Sequence, residues 1–398
     1  MPYYAWQGVN IFGDIKDGKT FARTYDDLDK LLFSRNIAII SHKRAKVFKF
    51  FNKISQDDKI NFFRQLAVLA SSGVRLPDAL MILCDQTKNI ELKQIIFQLE
   101  SDIMAGLSLS EALQKNKDIF DPIIIQIVQV GQESGDFGIC LNQLCDYLQE
   151  RQAFYKKIKS AAILPLITLG FFFIVTFSIF VFIVPRFADV FLSIGKDLPP
   201  LTKMILGISD FLQSYYFIFG ILVSVFSVII LKKYLKTPAI ENYIDKLYIN
   251  MPFVGEIYRQ SFLVQFLRSV SILLKSGVRL VPAINISNRS IKNNIIKSQI
   301  YNLEQDVFAG SSLSESMVNY GDKLFPQDLI AIVKVGEESA MLEVMLERAA
   351  FMYFEKISRS IFFFTTIFQP MLMIMLGLLV TLLIFAIYIP IFGLASVV

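Results

Sequence analysis

Two stretches about half the chain apart repeat each other, and each copy leads into a long segment without charge. Ser72-Gly73-Val74-Arg75-Leu76 returns as Ser276-Gly277-Val278-Arg279-Leu280, and Ala105-Gly106-Leu107-Ser108-Leu109-Ser110-Glu111 returns as Ala309-Gly310-Ser311-Ser312-Leu313-Ser314-Glu315. Further on, Val130-Gly131-Gln132-Glu133-Ser134 pairs with Val335-Gly336-Glu337-Glu338-Ser339, Pro165 with Pro370 and Pro185 with Pro390, after one inserted residue. A unit that occurs twice, soluble at one end and apolar at the other, fixes the architecture before any single residue does.

No Asp, Glu, Lys or Arg lies between Lys159 and Arg186, between Asp210 and Lys232, or after Arg359. Each gap exceeds the roughly 20 residues that an α-helix needs to cross a bilayer core. The excess of apolar residues, 54% of the 398, with 37 Phe, agrees with lipid-facing surface. Three transmembrane helices are expected, near Ala162 to Val184, Phe211 to Leu231 and Phe368 to Ile389. Buried helices of a soluble core seldom run this long without a charge. The start of the chain, Met1-Pro2-Tyr3-Tyr4-Ala5-Trp6, is not that of a cleaved signal peptide.

Basic residues flank the cytoplasmic ends of spans. Arg151, Lys156, Lys157 and Lys159 precede the first span, Lys232, Lys233, Lys236 and Lys246 follow the second, and Arg348, Lys356 and Arg359 precede the third. The loop after the first span has Arg186, Lys196 and Lys203, and the tail has none. The amino terminus is therefore expected in the cytoplasm and the carboxyl terminus outside. The unpaired second span returns the chain so that both copies enter the membrane in the same direction, a parallel repeat.

The expected fold class is all-α: two homologous cytoplasmic helical bundles of about six helices each, three transmembrane helices, and a small N-terminal module of unassigned fold. The boundaries are 1–55 for that module with a basic linker, 56–160 and 232–358 for the bundles, and 161–185, 211–231 and 360–390 for the spans. An external loop at 186–210 and a tail at 391–398 complete the chain. Within the module, Gly-punctuated alternation suggests strands and Tyr25 to Arg35 a helix. His42-Lys43-Arg44-Ala45-Lys46, with Lys49 and Lys53, reads as a linker, either solvated or laid on anionic lipid. In the first bundle Ser72-Gly73 ends one helix, Pro77-Asp78 opens the next, Gly106 ends another, Ser108 or Ser110 caps its successor and Phe120-Asp121-Pro122 makes a corner. Gly277, Pro282, Gly310 and Phe325-Pro326 repeat these breaks, so the two bundles should superpose.

Catalysis lacks its parts. The single His is in the basic stretch, no Gly-x-x-x-x-Gly-Lys-Ser/Thr loop occurs, and Ser110 and Ser314 read as helix caps with a following Glu. Cys84, Cys140 and Cys145 fit neither a disulfide framework nor a zinc site and read as core or surface residues. Asp78, Glu133 and Asp136 are weak candidates for a hard-cation site, against the simpler reading that they serve helix ends and turns. No cofactor is expected. A transporter or channel subunit is the competing class, since Pro165, Gly170, Pro370 and Gly377 interrupt spans one and three. The absence of charge within the spans counts against it. A net charge of only +5 disfavours nucleic acid as a partner.

In order and spacing these motifs resemble the inner-membrane platform proteins of type II secretion systems and type IV pili, over nearly the whole chain. The resemblance is carried by Phe63-Arg64-Gln65-Leu66-Ala67 with Ser72 to Leu76, by Gly106 to Leu113, by Gly131-Gln132-Glu133-Ser134-Gly135, by Pro185-Arg186-Phe187 with Gly195, Leu198-Pro199 and Thr202, and by Met251-Pro252 with Gly255 and Pro390. Gln132 stands where the family has Glu, which Glu337 keeps, and Ala340 replaces the final Gly. The opening Tyr4-Ala5-Trp6-Gln7-Gly8 is similar to the pilus branch. The resemblance implies a platform in the bacterial inner membrane that couples a hexameric assembly ATPase to incorporation of pilins or pseudopilins. It implies as partners those proteins, other inner-membrane assembly proteins, membrane lipid and further copies of the chain. The partner-contact candidates it marks are Arg64, Gly73, Gly106, Glu111, Gly131, Glu133, Gly135, Arg268, Gly277, Gly310, Glu315, Gly336 and Glu337. Phe171-Phe172-Phe173 would pack beside pilin helices or simply face lipid.

Overall fold

A computed structural model describes residues 3–21, 25–33, 36–45, 54–186, 200–234, 238–251, 254–291, 293–320 and 324–395. The N-terminal module is a three-stranded antiparallel sheet in the order β2-β1-β3, with β1 at Tyr3–Asn10, β2 at Ile15–Phe21, β3 at Ile37–Ala45 and helix α1 at Tyr25–Phe33. Tyr4, Leu28 and Leu32 form its small core. The strands and the helix suggested for this module are present, in a chain that is otherwise helical. His42 to Ala45 are no linker: they pair with Tyr3 to Trp6, and the His42 ring lies 4.3 Å from that of Tyr25. A basic edge strand is a device against edge-to-edge pairing, which explains charge where a linker was expected. Lys46, Lys49 and Lys53 lie outside the described residues.

The first repeat comprises α2 (Gln56–Ser71), α3 (Leu76–Gln86), α4 (Ile90–Met104), α5 (Leu109–Gln114), α6 (Pro122–Ser134) and the long α7 (Phe137–Ser178), which a π-helical turn at Ile179–Ile183 continues to Arg186. After α8 (Pro200–Gln213), α9 (Tyr215–Tyr234) and α10 (Pro238–Asn250), the second repeat runs through α11 (Val254–Lys275), α12 (Leu280–Arg289), α13 (Asn294–Phe308), α14 (Leu313–Asn319), α15 (Gln327–Glu338) and α16 (Leu342–Ala395). The glycine and proline breaks within the two bundles sit where they were expected, while the caps of the two short helices are Ser108 and Ser312 and not Ser110 and Ser314. Gly73, Gly106, Gly277 and Gly310 all have positive φ after helix ends.

Among the described residues two helices are long and apolar enough to cross a membrane, within Phe137–Arg186 and Leu342–Leu382, and a third if a bent pair counts as one span. That pair, α8 with α9, bends by 58° where Ser214 separates the two helices. Part of the expected loop at 186–210 is thus helical, from Pro200; Phe187 to Pro199, with the Gly195 and Leu198-Pro199 motifs, lie outside the described residues. Pro165, Pro370 and Pro390 do not interrupt their helices, which run on through them, and Pro185 lies in the helical turn after the π segment. Close to Pro165 the Thr168 hydroxyl donates to the carbonyls of Leu164 and Pro165, as threonine commonly does within a helix. The Ser209 hydroxyl, on α8, donates to the Phe180 carbonyl in the π turn at 2.6 Å.

Both repeats share one hydrophobic core, from Phe63, Leu99 and Phe120 in the first to Leu303, Phe325 and Tyr353 in the second. Cys140 and Cys145 are buried in it and Cys84 is half-buried, and among the described residues none of the three is in a disulfide; burial pushes the Cys145 thiol up to about 11.

Candidate functional site: motif turns and the seam between the repeats

The signature residues build each bundle from within. Ser108 and Ser312 are the N-caps of α5 and α14, each in a capping box with Glu111 or Glu315 three residues on. The cap is Ser108, therefore, and not Ser110. Ser110 lies one step inside the helix, and its N–H donates to Gln132 Oε1 at 3.0 Å. At the matching point of the second repeat, Glu337 accepts from the Leu313 and Ser314 N–H groups and from the Ser314 hydroxyl. The glutamate of the Gly-Glu-x-Ser motif is thus a second cap on the short helix, satisfying donors that a helix start leaves open. Gln132 keeps one of these bonds through its amide oxygen. Glu337→Ala is expected to cost about 1–2 kcal/mol by leaving those donors unpaired, and Glu337→Gln clearly less, as read by chemical denaturation.

Gly131 and Gly336 serve close approach. A Cβ on Gly131 would meet Cys140 Cβ at 2.8 Å and Phe137 Cα at 3.3 Å; on Gly336 it would meet Met345 Cβ at 2.9 Å and Leu342 Cα at 3.2 Å. These are matching residues of the two repeats, so α6 meets α7 as α15 meets α16. Gly135 turns the chain with φ +81°, and Ala340 takes the same left-handed conformation at +55°. A side chain there costs roughly 1–2 kcal/mol, partly offset by the entropy of the glycine it replaces. Ala340→Gly should therefore raise stability by about 0.5 kcal/mol, measured as a shift in the denaturation midpoint.

The cation candidates are not brought together. Asp78 pairs with Arg75 Nε at 2.8 Å, Glu133 accepts from Gln129 at 2.8 Å, and Asp136 precedes α7. Among the described residues no group of three His, Cys, Asp or Glu side chains is placed to hold a metal. Arg64 and Arg268, equivalent in sequence, differ in setting. Arg64 is exposed on α2, whereas Arg268 is largely covered, 3.5 Å from Glu150 and 5.5 Å from the Phe354 ring.

Arg268 lies at a seam between the repeats that the sequence reading missed. Helices α6 and α7 of the first repeat pack on α11, α12 and α16 of the second. Phe154 meets Phe354 with ring centroids 5.5 Å apart, Tyr147 Oη is 3.2 Å from Ser269 Oγ, and the Ser276 hydroxyl donates to Gln143 at 3.2 Å. Lys157 stands over the Phe354 ring at 4.5 Å and reaches Glu355 at 3.8 Å. Burial is the main reason that the Tyr147 phenol is pushed up, which keeps it neutral inside the seam. Phe154 and Lys157 of α7 thus meet Phe354 and Glu355 of α16. A cleft of about 450 Å³ opens along the seam, walled by charged side chains including Asp146, Glu150, Lys275 and Glu347. The sequence signal for the seam is divergence between equivalent positions, Tyr147 against Met352 and Ser269 against Gln65.

A duplicated helical bundle, each copy ending in a helix that continues into an apolar segment, defines a class of membrane-associated scaffold. The chain belongs to the type II secretion system protein F family, whose model matches residues 62–185 and 266–390, the two repeats. Similar proteins include the type IV pilus assembly protein TapC of Aeromonas hydrophila, 27% identical over 99% of this chain and 96% of its own. The type IV pilus assembly protein PilC of Thermus thermophilus is 29% identical over 83% and 81%, and the type II secretion system protein F of Vibrio cholerae 28% over 88% and 86%.

Proposed function

We propose that this protein is an inner-membrane platform that couples a cytoplasmic hexameric assembly ATPase to incorporation of pilins or pseudopilins, and so to pilus assembly or protein secretion. One observation carries the reading: α7 and α16 leave a single shared core as continuous helices and become the apolar segments. A push on the bundles is then a displacement of the spans, which is what a coupling part needs. In this reading the chain does no chemistry of its own. It has three spans, with the bent α8–α9 pair as the return crossing, the bundles and amino terminus in the cytoplasm and the carboxyl terminus outside, with boundaries near those expected from charge. The names of relatives on both the pilus and the secretion side support the class without choosing between them.

The test is co-isolation of the full chain with the assembly ATPase of the same organism. Binding is expected, and it should weaken in Glu111→Lys or Glu315→Lys if these loops form the contact. Glu111→Gln and Glu315→Gln are the controls, because glutamine keeps a capping box. Solute flux from the purified chain in liposomes, without ATPase binding, would support a transporter instead.

A further inference from the structure

The seam is not a two-fold contact. A two-fold arrangement would place α15 and α16 on α2 and α3 just as α6 and α7 lie on α11 and α12, yet no packing of that extent links those helices, all of which are described. The repeats are related head to tail. A head-to-tail contact always leaves one copy of each face unused.

Both unused faces carry side chains suited to being covered. On the α11–α12 face, Ile286 is 9% exposed and Ser269 2%; their equivalents on α2–α3 are Ile82, 38% exposed, and Gln65, in the open beside Val68 at 60%. On the α6–α7 face, Tyr147 is 5% exposed and Val130 half-buried; their equivalents on α15–α16, Met352 and Val335, are 49% and 52% exposed. The ion pair across the seam is duplicated too. Arg268 and Glu150 correspond to Arg64, exposed on the first unused face, and Glu355 on α16, which Lys157 reaches at 3.8 Å.

We propose that a second copy of this chain docks by repeating the seam, with α15–α16 of one chain on α2–α3 of the next. Met352 would lie against Gln65, Val335 near Val68 and Ile82, and Glu355 beside Arg64. The contact rests on the repeat geometry and not on the platform reading. One consequence does use the topology proposed above: because all repeats enter the same membrane in the same direction, successive chains cannot climb along its normal and must form an arc or closed ring.

The test uses full-length chains in native membranes, in a background with Cys84→Ser, Cys140→Ala and Cys145→Ala. Chains bearing Gln65→Cys and chains bearing Met352→Cys are co-expressed and oxidised. A covalent dimer is expected only when both are present, and a ladder of higher species when both substitutions are in one chain. Absence of any crosslink, or equal dimer from Met352→Cys alone, would overturn the proposal, the latter by marking a two-fold contact. Independently, Val68→Glu with Met352→Glu, both at exposed positions, should reduce the mass of the particle in mild detergent to that of one chain. An unchanged multimer would contradict it.

Discussion

Valine in place of Gly336 is expected to destabilise the second repeat by about 1–3 kcal/mol or more, and Gly131→Val the first by a similar amount. The reason is backbone proximity. The atoms that the new Cβ would strike, Leu342 Cα and Met345 Cβ in one repeat and Phe137 Cα and Cys140 Cβ in the other, cannot rotate away. Relief requires the two helices to separate, and those helices lead into the apolar segments. Gly170→Ala and Gly377→Ala are the contrast: a Cβ at either position meets nothing within 4 Å, so neither should destabilise, and each should raise stability by up to about 1 kcal/mol because alanine favours a helix interior over glycine. Urea denaturation of the purified chain, followed by far-UV circular dichroism, separates the two classes. Equal midpoints for Gly336→Val and Gly377→Ala would mean that the close approach at the motif glycine is not a constraint.

Phe154→Ala is expected to cost about 3 kcal/mol, in the range for a buried aromatic reduced to alanine. Phe154 is 4% exposed and faces Phe354 across the seam. Its loss should be felt in both repeats, because they share one core. Hydrogen exchange provides the readout. Amides of α4 and of α13, neither of which touches Phe154 in sequence, should lose protection together. Loss confined to the first repeat would show that the bundles are separate folding units joined only by a loose contact.

What could be read from the sequence was short-range chemistry and its repetition. Pro77 and Pro122 open helices, positive-φ glycines close them, and the serines before Glu111 and Glu315 mark caps, though the capping residues are Ser108 and Ser312 and not Ser110 and Ser314; each signal needs only a few neighbouring residues. Duplication turned weak local signals into a strong one. Three features escaped for physical reasons. The basic residues Lys43 and Arg44 look like those of a linker, because strand pairing is a long-range event with Tyr3 to Trp6. Pro165 and Pro370 read as interruptions, yet an apolar helix continues through both. The seam unites residues more than a hundred positions apart, such as Tyr147 with Ser269, and neither is repeated in the other copy.

The same division holds for the candidate site. Gly131, Gly336, Glu111, Glu315 and Glu337 stand out as motif residues, and the structure gives each a task inside its own bundle. Arg64 and Arg268 read alike in sequence and differ in setting, because the first repeat covers Arg268 whereas among the described residues Arg64 is exposed. Residues that recur twice thus report on the fold of the unit. Residues that differ between copies report on what each unit touches.

The most direct test of the account is the amount of surface fibre, or of secreted substrate, in a strain lacking this gene and complemented with plasmid-borne variants. The deletion is expected to abolish the product and the wild-type chain to restore it. Phe154→Ala, brought to the wild-type level in the membrane, should restore little, since the seam no longer ties the two long helices together. Full product in the deletion strain would contradict the assembly role, and full restoration by Phe154→Ala would contradict transmission through the seam.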